Sequence, residues 1–300
     1  MGRKRGRRIR RLAGRLVVLF LLLVVLAEGT LIIVKRADWR FLAVETVSSW
    51  FRHSELRLAE REELTLTFYT REELRSRSVT ENHVLELINE EHPIETEFEQ
   101  EICEYGTSGV WMNESLQTPY AELSAEVKRR FSESLYITSA FRTPEKQQEL
   151  LQTSAADVAA LVGASEHQSG LALDVSLNGF GGRAILKKEA GRYVYTDCWR
   201  YGFIIRYPLF QKKKTQTVFE PWHIRYVGMP HAEIIYLEGL VLEEYIERLV
   251  PGQFYEYGEY LLTRQKEEPF ELPAVFSSGE ISPDNTGYYI ITVKRNPLTE

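Results

Sequence analysis

Twelve consecutive apolar residues, 16–27, follow directly on eight arginines and lysines within residues 3–15, and they divide the chain before any fold can be considered. After Glu28, Gly29 and Thr30 the run resumes as Leu31-Ile32-Ile33-Val34, so residues 16–34 hold 16 apolar side chains in 19 positions. A helix needs about 20 such residues to cross a bilayer. Two readings follow. The run is a single-pass anchor with its basic flank on the cytoplasmic side, or a signal peptide cleaved near Val25-Leu26-Ala27, which leaves a secreted protein. Both export residues 35–300. A basic nucleic-acid arm before a buried helix is the weaker alternative. The eight cations and one acid of residues 1–34 give +7, so the −6 of the whole chain leaves −13 on residues 35–300. A body that acidic has no footprint for nucleic acid.

Outside the cytoplasm Cys103 and Cys198 can pair, but two unpaired thiols are the preferred reading. Two cysteines are too few for a disulfide scaffold or a four-cysteine zinc finger. Residues 38–104 are strongly charged and read as helical, with Arg-Glu-Glu-Leu at 61–64 and again at 71–74. Between Glu86 and Glu104 there are eight acids and no lysine or arginine, a solvated spacer by composition. Beyond Trp111 the pattern changes. An amphipathic helix is expected over 120–131, with Leu123, Val127 and Phe131 on one face. A strand is expected over 135–141, and a helix that opens at Pro144. Further strands read at 171–177, 203–207 and 219–227, and helices at 196–201, 230–237 and 240–249. The last 50 residues, rich in Tyr and Phe and broken by Pro and Gly, read as a small β appendage.

Six histidines occur in the chain. His53, His83 and His92 lie in the charged spacer, and His231 follows Met229-Pro230 at a helix start, a structural position. His167 and His223 keep different company. In Ser165-Glu166-His167-Gln168-Ser169-Gly170-Leu171-Ala172-Leu173-Asp174 a histidine and an aspartate stand seven apart, with Gly170 allowing a tight turn before a strand. In Glu220-Pro221-Trp222-His223 a carboxylate precedes the second histidine by three. Catalytic zinc sites use three N/O protein ligands and leave a position for water, whose pKa falls to about 7. His167, Asp174 and His223 supply such a set and leave Glu220 as a base. On chemistry alone, structural hydrogen bonds explain these pairs equally well, and no HExxH is present. Asn178-Gly179-Phe180-Gly181-Gly182-Arg183-Ala184 formally matches a dinucleotide fingerprint, but no βαβ unit follows it, so it reads as a loop bordering the cleft.

Ser-x-His-x-x-Gly-x-Ala-x-Asp at 165–174 and Glu-x-Trp-His at 220–223 resemble the two signatures of the zinc D-alanyl-D-alanine carboxypeptidases. The flanking text, Trp199-Arg200-Tyr201-Gly202-Phe203-Ile204-Ile205-Arg206-Tyr207-Pro208 and Ile224-Arg225-Tyr226-Val227-Gly228, is similar to the VanY-type enzymes of glycopeptide resistance over roughly residues 110–250. The resemblance implies that His167, Asp174 and His223 hold one zinc ion and that Glu220 is the general base. It implies that Arg142, in Ser139-Ala140-Phe141-Arg142, sits on the scissile carbonyl or the terminal carboxylate of the substrate. It also implies that Gln147 and Ser165 line the substrate pocket and that Trp222 packs beside the site. The implied activity is removal of terminal D-alanine from peptidoglycan precursors or stems, with an accessory role in vancomycin resistance as one setting. An L,D-carboxypeptidase or endopeptidase is the enzymatic alternative, and a zinc-holding peptidoglycan-binding module without turnover is the alternative of another class. Serine-type D,D-peptidases need Ser-x-x-Lys and Lys-Thr-Gly, and neither string is present.

The expected architecture is α+β. Residues 1–34 form a basic stretch with a transmembrane anchor or signal, and 35–110 a charged helical spacer. Residues 111–250 form the zinc peptidase domain, a central antiparallel sheet flanked by helices, and 251–300 a small β-rich tail.

Overall fold

The computed structural model describes residues 36–94, 98, 101–153 and 160–295. The apolar run 16–34, expected as anchor or signal, lies outside the described residues. Among the described residues no helix is long and apolar enough to cross a membrane. The chain divides into two compact units, residues 1–51 and 52–300. The first contributes one described helix, α1 (Ala37–Ser49), which opens on Asp38 paired with Arg36 at 2.6 Å. An acid in the first turn of a helix faces the positive end of its dipole.

The second unit begins with β1 (Arg57–Leu58), β2 (Leu66–Tyr69), α2 (Arg71–Arg75) and β3 (Val79–Glu81). After β4 (Ile102–Glu104) and β5 (Trp111–Asn113) come α3 (Gln117–Phe131), β6 (Leu135–Ser139), α4 (Pro144–Thr153) and β7 (Ala172–Leu177). Next are α5 (Glu189–Asp197), β8 (Phe203–Tyr207), α6 (Lys212–Thr215), β9 (Glu220–Tyr226), α7 (His231–Glu238) and α8 (Leu242–Arg248). The chain closes with β10 (Phe254–Tyr257), β11 (Tyr260–Gln265), β12 (Phe270–Pro273), β13 (Ser278–Pro283) and β14 (Tyr289–Lys294).

The central sheet has the order β6-β7-β9-β8 and is antiparallel throughout, as the alternating and apolar runs suggested. Helix α3 buries Tyr120, Leu123 and Val127, spaced by three and four, and turns Arg129 and Arg130 to solvent. The Tyr120 hydroxyl donates to the Leu135 carbonyl, tying α3 to the edge of β6. The region read as a helix over 196–201 is the end of α5 followed by a 3-10 turn, Cys198–Tyr201. Cys103 and Cys198 are both free thiols.

The helical reading of residues 38–104 is corrected. It holds for α1 and the five-residue α2, whereas 57–58, 66–69 and 79–81 are strands. They join residues of the β-rich tail: the second sheet runs β1-β10-β11-β14-β13-β3, and β2 pairs with β12. Tyr69, Leu74 and Val79 share one buried core with Phe254, Phe270 and Ile291. The strand character of these segments is not evident locally because their apolar faces are completed by partners far down the chain.

His231 confirms a structural position. It is buried, with Nδ1 2.6 Å from the Tyr245 hydroxyl and Nε2 3.2 Å from Thr292 Oγ1. Burial pushes its imidazole down to about 3, against about 6.5 in an unfolded chain. Below pH 6.5 the unfolded chain therefore binds the extra proton first, and the stability His231 contributes is full above that pH and lost as pH falls. Between pH 7 and pH 5 the wild type is expected to lose about 2 kcal/mol more than His231→Gln, read by urea unfolding at both pH values. Equal losses would show that His231 titrates normally.

Candidate active site

Three elements deliver the two histidines and the aspartate to one point. Asp174 on β7 lies directly opposite His223 on β9 in the strand register. His167 belongs to a 3-10 turn, Glu166–Ser169, that ends at Gly170 with φ +68°. A Cβ at Gly170 would lie 2.4 Å from Ile102 Cδ1 and 2.8 Å from the Asn113 nitrogen, so glycine is required both by the left-handed turn and by the close approach of β5. The turn is fixed from its other side by the Arg142 N–H, which donates to the His167 carbonyl at 3.0 Å.

Glu220 and His223 are three apart, an odd spacing that puts side chains of a regular strand on opposite faces. Between β8 and β9 the register shifts, from Ile205 opposite Ile224 to Tyr207 opposite Glu220. Three residues of β9, 221–223, thus face the single Arg206, and such a bulge re-aims side chains. Glu220 Oε2 comes within 3.9 Å of His223 Nδ1.

One ligand atom from each of His167, Asp174 and His223 lies within 4.8 Å of the other two. His167 Nδ1 is 2.9 Å from the Ala140 carbonyl, which can accept but not donate, so Nδ1 carries the proton and Nε2 is left facing Asp174 Oδ2 at 3.4 Å. His223 Nδ1 is 3.1 Å from Asp174 Oδ1. The two imidazoles stand edge to face at 5.0 Å.

The electrostatics favour positive charge at this point. Burial raises the Asp174 carboxyl, but hydrogen bonds to His167 and His223 hold it well below the usual carboxylate range. Burial alone would lower His223; Asp174 and Glu166 outweigh it and hold it up at about 9. His167 is pushed down by its burial. Glu220 is raised, first by burial and further by Asp174, with His223 opposing. That shift moves a carboxylate toward the range of a general base at neutral pH.

The Arg142 guanidinium is half-buried and held by neutral partners: Nη1 donates to Gln147 Oε1 at 2.7 Å and Nη2 to Ser139 Oγ at 2.8 Å. Gln147 is fully buried and donates onward to the Ala160 carbonyl at 2.6 Å, so it supports Arg142. Ser165 is buried at the head of the 3-10 turn, its carbonyl accepting the Gln168 N–H. Trp222 is half-buried, its ring 4.0 Å from the point where a Cβ on Gly182 would stand, which places the 178–184 loop beside the site. A cleft of about 510 Å³ opens along the loop after β6, lined by Trp111, Ile137, Ser139, Phe141, Arg142 and Lys146 among others.

Sequence reasoning passed over the charges behind the histidines. Glu166, Arg206 and Arg225 are all buried, with Glu166 Oε1 2.7 Å from Arg206 Nε and 3.0 Å from Arg225 Nη1. Arg206 also forks onto Glu243 at 2.6 and 2.8 Å. The signal was a single arginine amid apolar and aromatic neighbours in each of two strands, Ile205-Arg206-Tyr207 and Ile224-Arg225-Tyr226.

Comparison with known proteins identifies the family. The VanY family model, D-alanyl-D-alanine carboxypeptidase, matches residues 109–229. The chain is 32% identical over 253 residues to a D-alanyl-D-alanine carboxypeptidase of Enterococcus faecium, a match spanning 75% of this chain and 80% of that protein. A D-alanyl-D-alanine carboxypeptidase of Enterococcus faecalis is 32% identical over 177 residues, 53% of this chain and 64% of the relative. In fold the chain is similar to the vancomycin resistance D,D-dipeptidase VanXYg, solved with a D-Ala-D-Ala phosphinate analog, at a TM-score of 0.59, 21% identity and coverage of 80% of this chain and 99% of that one. With its motifs, its fold and these relatives in agreement, the chain belongs to the VanY family of D-alanyl-D-alanine carboxypeptidases.

Proposed function

We propose that the protein is a zinc-dependent D,D-carboxypeptidase that releases the terminal D-alanine from peptidoglycan precursors or stem peptides. The convergence of His167, Asp174 and His223, with Glu220 beside them and outside the donor set, carries the reading. The donors fit zinc: two imidazoles and a carboxylate are the N/O set of a catalytic site. A bound zinc ion supplies a Lewis acid and brings the pKa of a water to about 7. Glu220 takes the proton of the attacking water at its carboxylate and returns it to the amine nitrogen of the departing D-alanine as the peptide C–N bond breaks. Arg142 donates to the scissile carbonyl oxygen, where charge grows, or to the terminal carboxylate. Gln147 and Ser139 hold that guanidinium without neutralising it, and the cleft lined by Trp111, Ile137 and Phe141 receives the stem peptide. Export behind the basic and apolar run 1–34 belongs to the same proposal, because the cell wall is outside the cytoplasm.

Amino-acid release from stems ending in D-Ala-D-Ala, D-Ala-D-lactate and L-Lys-D-Ala, with zinc and with chelator, tests it. The expected result is zinc-dependent release of D-alanine from the first, unaffected by penicillin. Release from the third alone would move the assignment to L,D-cleavage. No release from any, with zinc still bound, would leave a binding module.

Arg142→Ala is expected to lower kcat by about 10²–10³-fold, the 2.7–4 kcal/mol of a lost transition-state donor. Arg142→Lys should recover little, since a point charge does not reproduce the guanidinium fork. A change confined to KM would place Arg142 on ground-state binding alone.

A further inference from the structure

Glu166 has no part in the scheme above, yet it is 1% exposed and lies directly behind a candidate metal ligand. Its Oε1 is taken by Arg206 and Arg225. Its Oε2 is 3.5 Å from His223 Nε2, and these two buried atoms have no hydrogen-bond partner elsewhere among the described residues. Arg225 Nη1, 3.0 Å from Oε1, is the other buried polar atom at this carboxylate without a hydrogen bond of its own among the described residues.

The two arginines cannot swing away. Arg206 is forked onto Glu243 of α8, and Arg225 Nη2 donates at 3.0 Å to the carbonyls of both Val84 and Glu86. Glu166 is therefore a fixed acceptor at the back of the His223 ring. A neutral imidazole has one N–H, and the nitrogen that keeps it decides which nitrogen is free to bind a metal.

Building on the zinc reading, we infer that Glu166 is the positioning residue of His223: it accepts the Nε2–H and leaves Nδ1 as the donor to the metal. His167 is set the opposite way, with Nδ1–H on the Ala140 carbonyl and Nε2 free. The two ligand histidines thus present different nitrogens to one ion, each fixed from behind by its own acceptor.

Long-range ¹H–¹⁵N spectra of the full chain labelled at histidine nitrogen, with one equivalent of zinc and with chelator, read the tautomers directly. Two imidazoles should respond to zinc, one keeping its proton on Nδ1 and the other on Nε2. Glu166→Gln should perturb the second and weaken zinc binding by about 10–100-fold in chelator competition. Two zinc-responsive imidazoles that both keep Nδ1–H would overturn the inference while leaving the metal site standing. No zinc-responsive imidazole would overturn both. Unchanged zinc affinity in a folded Glu166→Gln protein would also overturn it, and if that variant does not fold, the wild-type spectrum decides.

Discussion

Glu220→Gln is expected to lower kcat by about 10²–10⁴-fold in a protein that still binds one zinc ion per chain, the loss associated with removing a general base. The substitution keeps the size and shape of the side chain and removes its ability to take a proton. Zinc should be retained because Glu220 lies outside the candidate donor set, 3.9 Å from His223 Nδ1. Single-turnover kinetics on a D-Ala-D-Ala stem, with metal content measured on the same sample, separate the two properties. A kcat within threefold of wild type would remove Glu220 from the mechanism; loss of the metal would make it a ligand.

Arg206→Ala is expected to cost about 3–5 kcal/mol of stability, the effect of breaking a buried ion pair from one side. The Arg206 side chain is fully buried between Glu166 and Glu243. Without it Arg225 remains against Glu166, but Glu243 keeps its charge in a site that is 13% exposed, and the space of the guanidinium is left empty. Urea unfolding in the presence of chelator measures this apart from metal binding. Arg206→Met with Glu243→Gln should recover part of the loss, because it fills the space and removes the stranded acid. A cost below about 1 kcal/mol in the single variant would mean that water or a rearranged side chain compensates Glu243.

The parts of the site legible in the sequence were those whose chemistry is local. His167, Gly170 and Asp174 are read within ten residues, because a turn with positive φ must carry the histidine round to the start of the next strand. That Glu220 and His223 share a face was not legible from spacing, since it depends on the bulge opposite Arg206. Glu166 was read as a spacer within a motif, and its role as a counter-charge appears once β8 and β9 bring two arginines behind it. The central sheet was legible from apolar runs that are buried on their own account. Strands 66–69 and 79–81 were not, because seven of the ten buried residues of the core that stabilises them come from residues 254–293.

The sheet order β1-β10-β11-β14-β13-β3 also has a consequence for the newborn chain. During synthesis, residues 57–81 emerge well before the strands they pair with. The last strand made, β14, sits between β11 and β13 in the middle of the sheet rather than at its edge. The β layer therefore closes after the whole chain is available, and such long-range pairing slows folding. A ribosome stalled near residue 275 would carry Tyr69, Leu74 and Val79 with their faces open to solvent, because most of the core that covers them has not yet left the ribosome.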